Sequence, residues 1–465
     1  MAYSSITKPT DYFNTVLWTG DGASSRGITG VGFQPDWVWL KRRNTSGNQN
    51  VYDIIRGATN YILTDSANAE ATISNRLTSF DSDGFTVGNS GNTNASSSTY
   101  VAWNWLAAGT APSKTYTVKV VSDSGNKYRF DDFGTSAVTL EISEGGTYTF
   151  DQSDSSNSGH PLRFSTTSDG THGGGSEYTT GVTTTGTPGS SGAKTVITVA
   201  ASAPTLYYYC SSHSGMGGQA NTPTTNSFSD FSGSIQSNVS PNTTAGFSIV
   251  SYTGTGANAS VGHGLGTAPD CMIVKCRSNG GTGWWVYHKS LGATKAIYLH
   301  STGASFTNDW LQDTAPTSSV FTLDNNGDTN GSSRTIIAYC FKEKQGFIKT
   351  GSYTGNGNAD GTFVHTGFKP AWILIKRTNT TGSWKLFDNK RANPFNVIEA
   401  RLEPNTSAAE SSSSTYGIDL LSNGFKLRGT SAEQNGSGSS FIYMAFAENP
   451  FVGNDSGTGI PVTAR

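Results

Sequence analysis

The 465-residue sequence has few charged residues and few cysteines, and each scarcity argues against a class of protein. Asp, Glu, Lys and Arg make up only 14% of the chain, and the net charge is −2; typical globular proteins carry about a quarter charged residues. Without a basic surplus, the chain has no electrostatic basis for binding nucleic acid phosphates. Four cysteines are too few for a disulfide framework in a chain of this length.

Long apolar runs are also missing. No stretch approaches the roughly 18 apolar residues that a membrane span needs, and residues 1–15 lack the basic-then-apolar layout of a secretion signal. We therefore expect a protein without a membrane span that is made and folded in a cytosol. No Ser-His-Asp set, phosphate-binding Gly loop or paired carboxylate recurs along the chain, so we expect no enzymatic activity.

What the chain does contain favours β-structure. The 56 glycines, with abundant Ser, Thr and Asn, disfavour helices and favour short strands joined by tight turns. The 10 Trp, 19 Tyr and 23 Phe supply enough apolar bulk for packed cores. Composition therefore predicts an all-β protein of several domains.

A unit of about 100 residues occurs three times. The pentapeptide that begins at Trp18 recurs in related form from Tyr252 and from Tyr353, and each copy is followed at a fixed distance by a proline and then a lysine. The lysines are Lys41, Lys275 and Lys376, at offsets of 234 (275 − 41) and 101 (376 − 275). Each unit is predicted to be an antiparallel, jelly-roll-like β-sandwich, and its lysines are interpreted as solvated strand ends.

The stretch between the first two copies carries a set of metal ligands. A strand-like run ends in Cys210. His213 and Met216 follow it within six residues, and His160 lies upstream. One thiolate, two imidazoles and a thioether form the ligand set of a blue-copper site. This stretch resembles the cupredoxin family, which implies a Greek-key β-sandwich with copper bound by these four residues. The alternative is a cupredoxin-like scaffold with vestigial ligands, and His172 is interpreted as a loop residue rather than a substitute ligand.

Other candidate sites are interpreted as structural. Asp81–Gly84 and Asp324–Asp328 faintly resemble calcium loops but lack the twelve-residue spacing, so hairpin turns are favoured. A short helix is expected between Ile54 and Leu77. Trp284 and Trp285, flanked by glycines, are the best candidates for an exposed aromatic surface.

The repeated unit resembles modules of virion appendage proteins from marine tailed bacteriophages, those of cyanobacteria especially. The resemblance is carried by residues 11–15, 30–36, 56–59, 77–85 and 100–103 of the first copy. It implies a virion structural protein, a tail fibre or related appendage for host attachment. The implied partners are other virion proteins, a host receptor or glycan, and further copies in a homotrimer. Such a protein would be assembled in the host cytoplasm and released by lysis.

Two alternative functions stay open at this point: a head-decoration or capsid-fibre protein, and a copper protein that transfers electrons. The predicted fold is three tandem β-sandwich repeats plus one cupredoxin-like sandwich. The predicted domains are an N-terminal arm (1–10), repeat 1 (11–109), the cupredoxin-like domain (114–219), a Ser/Asn/Thr-rich linker (220–244), repeat 2 (245–345), repeat 3 (346–452) and a tail (453–465).

Overall fold

The computed structural model describes residue 4, residues 6–391 and residues 395–450. The regular secondary structure of this part of the chain is almost entirely β-strand, in several mostly antiparallel sheets, with two one-turn α-helices and four 3₁₀ turns. The all-β fold predicted from composition is therefore confirmed. Among the described residues, no helix has the length and apolar character to span a membrane. The predicted tail at 453–465 lies outside the described residues.

The first repeat, here called unit 1, is a sandwich of a six-stranded and a three-stranded sheet, in the orders β1-β9-β3-β4-β5-β6 and β2-β8-β7. The short helix expected from Ile54 to Leu77 is absent; turns and two strands occupy that stretch. The strands are β1 (Phe13–Thr19), β2 (Arg26–Thr29), β3 (Trp37–Arg42), β4 (Gln49–Asp53), β5 (Asn60–Leu63), β6 (Ala71–Thr72), β7 (Leu77–Asp81), β8 (Gly84–Val87) and β9 (Thr99–Trp105), after a 3₁₀ turn at Pro9–Asp11.

The inserted module is a second kind of β-sandwich with its own aromatic core. Its sheets have the orders β11-β10-β13-β16-β15 and β12-β18-β17-β14. The strands are β10 (Ser113–Ser122), β11 (Asn126–Phe130), β12 (Leu140–Glu141), β13 (Thr147–Asp151), β14 (Leu162–Ser165), β15 (Val182–Thr185), β16 (Lys194–Thr198), β17 (Leu206–Cys210) and β18 (Gly218–Asn221), with 3₁₀ turns at Ser155–Asn157 and Gly170–Gly173.

Unit 2 has an eight-stranded sheet, β19-β20-β21-β28-β23-β24-β25-β26, and a two-stranded sheet, β22-β27. Its first two strands fall within 220–244, so this segment differs from the linker expected there: it extends the sheet of unit 2. The elements are β19 (Phe228–Asp230), β20 (Ser237–Asn242), β21 (Phe247–Thr253), β22 (Ala259–Gly262), β23 (Cys271–Cys276), β24 (Trp284–His288), β25 (Lys295–Tyr298), β26 (Phe306–Thr307), β27 (Val320–Leu323), α1 (Gly327–Asn330) and β28 (Thr335–Phe341).

Unit 3 has a four-stranded sheet, β29-β37-β31-β32, a three-stranded sheet, β30-β36-β35, and the pair β33-β34. The elements are β29 (Ile348–Thr354), β30 (Phe363–His365), β31 (Phe368–Arg377), β32 (Lys385–Asp388), β33 (Ala400–Arg401), β34 (Ser411–Ser412), a 3₁₀ turn at Ser414–Tyr416, β35 (Ile418–Leu421), β36 (Gly424–Leu427), α2 (Ala432–Asn435) and β37 (Ser440–Pro450).

The three units share one hydrophobic core, to which units 1 and 2 contribute the faces of their large sheets that point away from the sandwich interiors. In unit 3 both the large sheet and the sandwich interior belong to this core. Each unit contributes aromatic rings, and each pair of units is in contact. The ring of Trp37 stacks 4.7 Å from that of Tyr339, joining units 1 and 2. Trp105 lies 5.7 Å from Trp372, joining units 1 and 3. Phe341 lies 6.0 Å from Phe446, which closes the set between units 2 and 3.

The repeated lysines lie at the boundaries between units, and each donates to a backbone carbonyl of another unit. Lys41 of unit 1 donates to Ser407 O in unit 3 at 2.9 Å. Lys275 of unit 2 donates to Ala67 O in unit 1 at 3.1 Å, and Lys376 of unit 3 donates to Thr302 O in unit 2 at 2.9 Å. The contacts therefore run in one rotational direction around a pseudo-threefold ring, as heterologous interfaces of a closed assembly do. All three lysines are fully buried, so their interpretation as solvated strand ends was wrong.

The glycines of the repeated pentapeptide allow a close backbone approach in every unit. A Cβ on Gly20, Gly254 or Gly355 would lie 2.1–2.5 Å from a carbonyl oxygen of the loop that precedes the last strand of its unit. The second glycine of the pentapeptide, two residues further on, has a positive φ of 71–77° in all three units. The repeat is therefore a backbone-geometry signature rather than a binding motif.

Candidate metal centre

The pairing of two strands places His160 beside Cys210. Cys210 is the last residue of β17, and its register partner on β14 is Leu162. His160 precedes Leu162 by two residues, in the turn that leads into β14, so its ring reaches the end of β17. His213 lies in the turn after Cys210 and reaches the same place. Gly215, at φ +71°, follows it in the loop that leads to β18.

The three side chains form a compact donor group. The Sγ atom of Cys210 lies 3.9 Å from Nδ1 of His160 and 3.7 Å from Nδ1 of His213. One ligand atom from each residue lies within 4.8 Å of the others, and the two imidazole centroids are 4.6 Å apart. In the described part of the chain, no other group of three or more His, Cys, Asp or Glu side chains is close enough to share a metal ion.

These separations fit a metal ion bound by all three residues. Metal–sulfur and metal–imidazole bonds of about 2.3 and 2.0 Å, at angles near those of a trigonal or tetrahedral site, put sulfur and nitrogen roughly 3.5–3.8 Å apart. A thiol and two imidazoles are donors that Cu and Zn both accept. The donor set therefore fits a copper-type ion on the observed distances.

Burial differs among the ligands in a way that suits a partly accessible site. Cys210 is buried, His160 is half-buried and His213 is exposed. Burial is the larger cause that lowers the pKa of His160, and the neighbouring His213 lowers it further. The lowered pKa favours the neutral imidazole that binds metal.

Met216 and His172, the two other residues considered as ligands, lie in surroundings that differ from each other. Met216 is buried in the hydrophobic core of the module, in the same cluster as Cys210. His172 lies in the 3₁₀ turn Gly170–Gly173, and its Nε2 atom is 3.0 Å from the backbone oxygen of Cys210. The His172 ring thus contacts the backbone of β17 and is not part of the donor group.

Two residues that sequence reasoning missed support the ligand loops. Tyr128 and Gln152 are both buried, and each donates a side-chain hydrogen bond of 2.9 Å to the backbone oxygen of His160. Nothing in the sequence marks them, because a Tyr or Gln in a strand-like stretch has no distinctive spacing.

The other sequence candidates are occupied by structural contacts. Asp83 accepts hydrogen bonds from the backbone of Gly32 and Gly30 at 2.6 and 3.1 Å, and strands β7 and β8 close a hairpin there, as predicted. Asp328 accepts from Gly283 N at 2.8 Å and Trp285 Nε1 at 3.0 Å. The expectation that Trp284 and Trp285 form an exposed aromatic surface was wrong, because the first packs in the shared core and the second in the interior of unit 2.

Comparison with known proteins gives a family. The family model described as "Domain of unknown function (DUF7483)" matches residues 8–132 and 174–450, which is most of the chain, so the protein belongs to that family. No curated protein and no solved structure matches the chain.

Proposed function

We propose that the protein is a structural component of a bacteriophage particle, a tail fibre or related appendage that attaches the particle to its host. The observation that carries the proposal is the closed ring of three homologous sandwiches around one core. A core shared by three units gives a rigid scaffold, and its buried aromatic contacts leave the outer loops available for recognition. The resemblance of the repeated unit to phage appendage modules points the same way.

The ring of three units within one chain also limits how several copies of the protein can associate. Contacts that three separate subunits would make in a trimer are made here inside one chain, at the boundaries marked by Lys41, Lys275 and Lys376. The homotrimer expected from the resemblance stays a prediction, and it would have to form through outer surfaces. Those surfaces are also where we place the contacts with other virion proteins and with a host receptor or glycan.

A density map of the intact particle tests this proposal. We expect the four sandwiches of the chain to fit density at the tail or its fibres. Density on the capsid lattice would favour a head-decoration or capsid-fibre protein instead. Absence of the chain from purified, infectious particles, measured by mass spectrometry, would overturn the virion assignment altogether.

A second candidate function is copper binding by the inserted module, favoured by the convergence of His160, Cys210 and His213 within 4.8 Å. We expect copper loading to produce an intense thiolate-to-copper absorption band in the visible region, from a site completed by Met216. Cys210→Ser removes the thiolate and should abolish the band. Cys276→Ser, at a buried cysteine of unit 2, is the matched control and should keep it. Stoichiometric zinc with no uptake of copper would contradict the copper assignment.

A further inference from the structure

Tyr128 on β11 contacts both segments that carry the candidate ligands. Its backbone N–H donates to the backbone oxygen of Met216 at 3.0 Å, and its phenol hydroxyl donates to the backbone oxygen of His160 at 2.9 Å. The side chain is fully buried. One residue therefore spans the distance between the His160 turn and the loop that runs from Cys210 to Met216.

Gln152 fixes the same turn from the other side. Its amide nitrogen donates to His160 O at 2.9 Å, and its amide oxygen accepts from Leu162 N at 3.1 Å. The backbone oxygen of His160 thus receives two hydrogen bonds from buried donors. Because a buried donor or acceptor left unpaired is costly, this arrangement holds the turn in one position.

We propose that Tyr128 is a positioning residue for the metal centre, which sets the distance between the imidazole of His160 and the thiol of Cys210. This inference rests on the proposed copper-binding function of the module. Residues that support metal ligands from outside the ligand shell typically change metal affinity by about 10- to 100-fold when they are replaced.

The test compares Tyr128→Phe with Tyr208→Phe in the full-length protein. Tyr208 is a matched control, because it is buried in the same core and its hydroxyl donates to Val138 O at 2.6 Å, a residue that does not carry a ligand. We expect Tyr128→Phe to weaken copper binding by about 10- to 100-fold. It should also shift the energy of the thiolate-to-copper band and the reduction potential, whereas Tyr208→Phe leaves all three unchanged.

A second substitution and a measurement on the metal-free protein distinguish a failure of the Tyr128 inference from a failure of the copper function. Gln152→Met removes the other donor to His160 O and should shift affinity and band in the same direction. Tyr128→Phe protein with wild-type affinity, band and potential would overturn the inference. If the wild type takes up no copper, the copper function fails. Amide exchange in the metal-free protein then decides about Tyr128, since Tyr128→Phe should speed exchange at Leu162 and Ser211 whereas Tyr208→Phe should not, and equal rates in these two variants would overturn its role.

Discussion

The ammonium group of Lys41 donates a hydrogen bond of 2.9 Å to the backbone oxygen of Ser407, 366 residues further along the chain. The same oxygen accepts from Gly47 N at 2.9 Å, and the equivalent pairs recur at the other two boundaries. At those boundaries Gly281 and Lys275 share Ala67 O, and Gly382 and Lys376 share Thr302 O. Each unit is thus attached to the next by the same small device, which explains why the lysine recurs in the sequence.

Replacing Asp53 by Asn should destabilise the whole protein. Asp53 forms a fully buried ion pair with Arg56 and accepts from the hydroxyl of Tyr339 in unit 2 at 2.7 Å. Removing one charge from a buried pair costs about 3 kcal/mol or more, because the other charge stays buried. Urea unfolding measures the change. The control is Asp132→Asn, which breaks an exposed pair with Lys119 and should cost less than about 1 kcal/mol; equal effects of the two variants would contradict the account.

The free energy of unfolding should rise as the pH increases from 8 to about 9. Burial lowers the pKa of Lys41, Lys275 and Lys376 from 10.5 to about 8. At a pH between about 8 and 10.5, these lysines bind more protons in the unfolded chain than in the folded one, so raising the pH favours the folded state. Above pH 9 the cysteines of the unfolded chain begin to ionise, which opposes the effect.

Urea titrations at pH 8 and pH 9 measure this slope. The variant Lys275→Met removes one of the three groups and should reduce the slope. A slope that is zero or negative in the wild type would show that the buried lysines do not titrate in this window.

Alanine at Gly254 should destabilise unit 2. Its Cβ would lie 2.5 Å from Gly331 O, a backbone atom that can move away only by displacing the loop before β28. Overpacking of this kind typically costs about 1–3 kcal/mol. Gly27→Ala is the control, because it has open space around its Cβ position and no positive φ. Thermal unfolding of the two variants measures the difference, and a wild-type melting temperature for Gly254→Ala would contradict the close approach.

His160→Ala should lower copper affinity much more than His172→Ala, because it removes a ligand atom rather than a contact to the backbone of a ligand. The reason is geometric: His172 contacts a backbone oxygen of β17 at 3.0 Å, but His160 presents Nδ1 at 3.9 Å from the thiol. Competition titrations with a chromophoric copper chelator measure both affinities. A larger loss at His172 than at His160 would mean that the ligand set has been assigned incorrectly.

The threefold repeat and the position of the inserted module could be predicted from the sequence. The constant offsets among Lys41, Lys275 and Lys376 reveal the three units, because equivalent backbone positions demand equivalent glycines and strand lengths. The residue types also predicted that His160, Cys210 and His213 lie close together; their binding of copper, with Met216 as a fourth ligand, stays a prediction.

The environment of the same residues could not be predicted. A lysine at the end of a strand is usually solvated, but Lys275 is buried and donates to Thr282 of its own unit and to Ala67 O of unit 1. Trp284 follows a glycine-rich stretch, yet its indole nitrogen donates to Leu63 O of unit 1 at 2.8 Å. Both errors have one cause: periodicity within a unit indicates which face is apolar, but it does not indicate that a second unit packs on the outer face. The strands within 220–244 were missed because a polar segment pairs through its backbone.

Hydrogen exchange of the Asp53→Asn protein, followed by mass spectrometry, tests most directly whether the three units form a single scaffold. If they share one core, a local loss at the boundary between units 1 and 2 should accelerate exchange in strands of all three units, including β31 and β37 of unit 3. Acceleration confined to residues 11–109, with wild-type protection in the other two units, would contradict a shared core and indicate three independent domains.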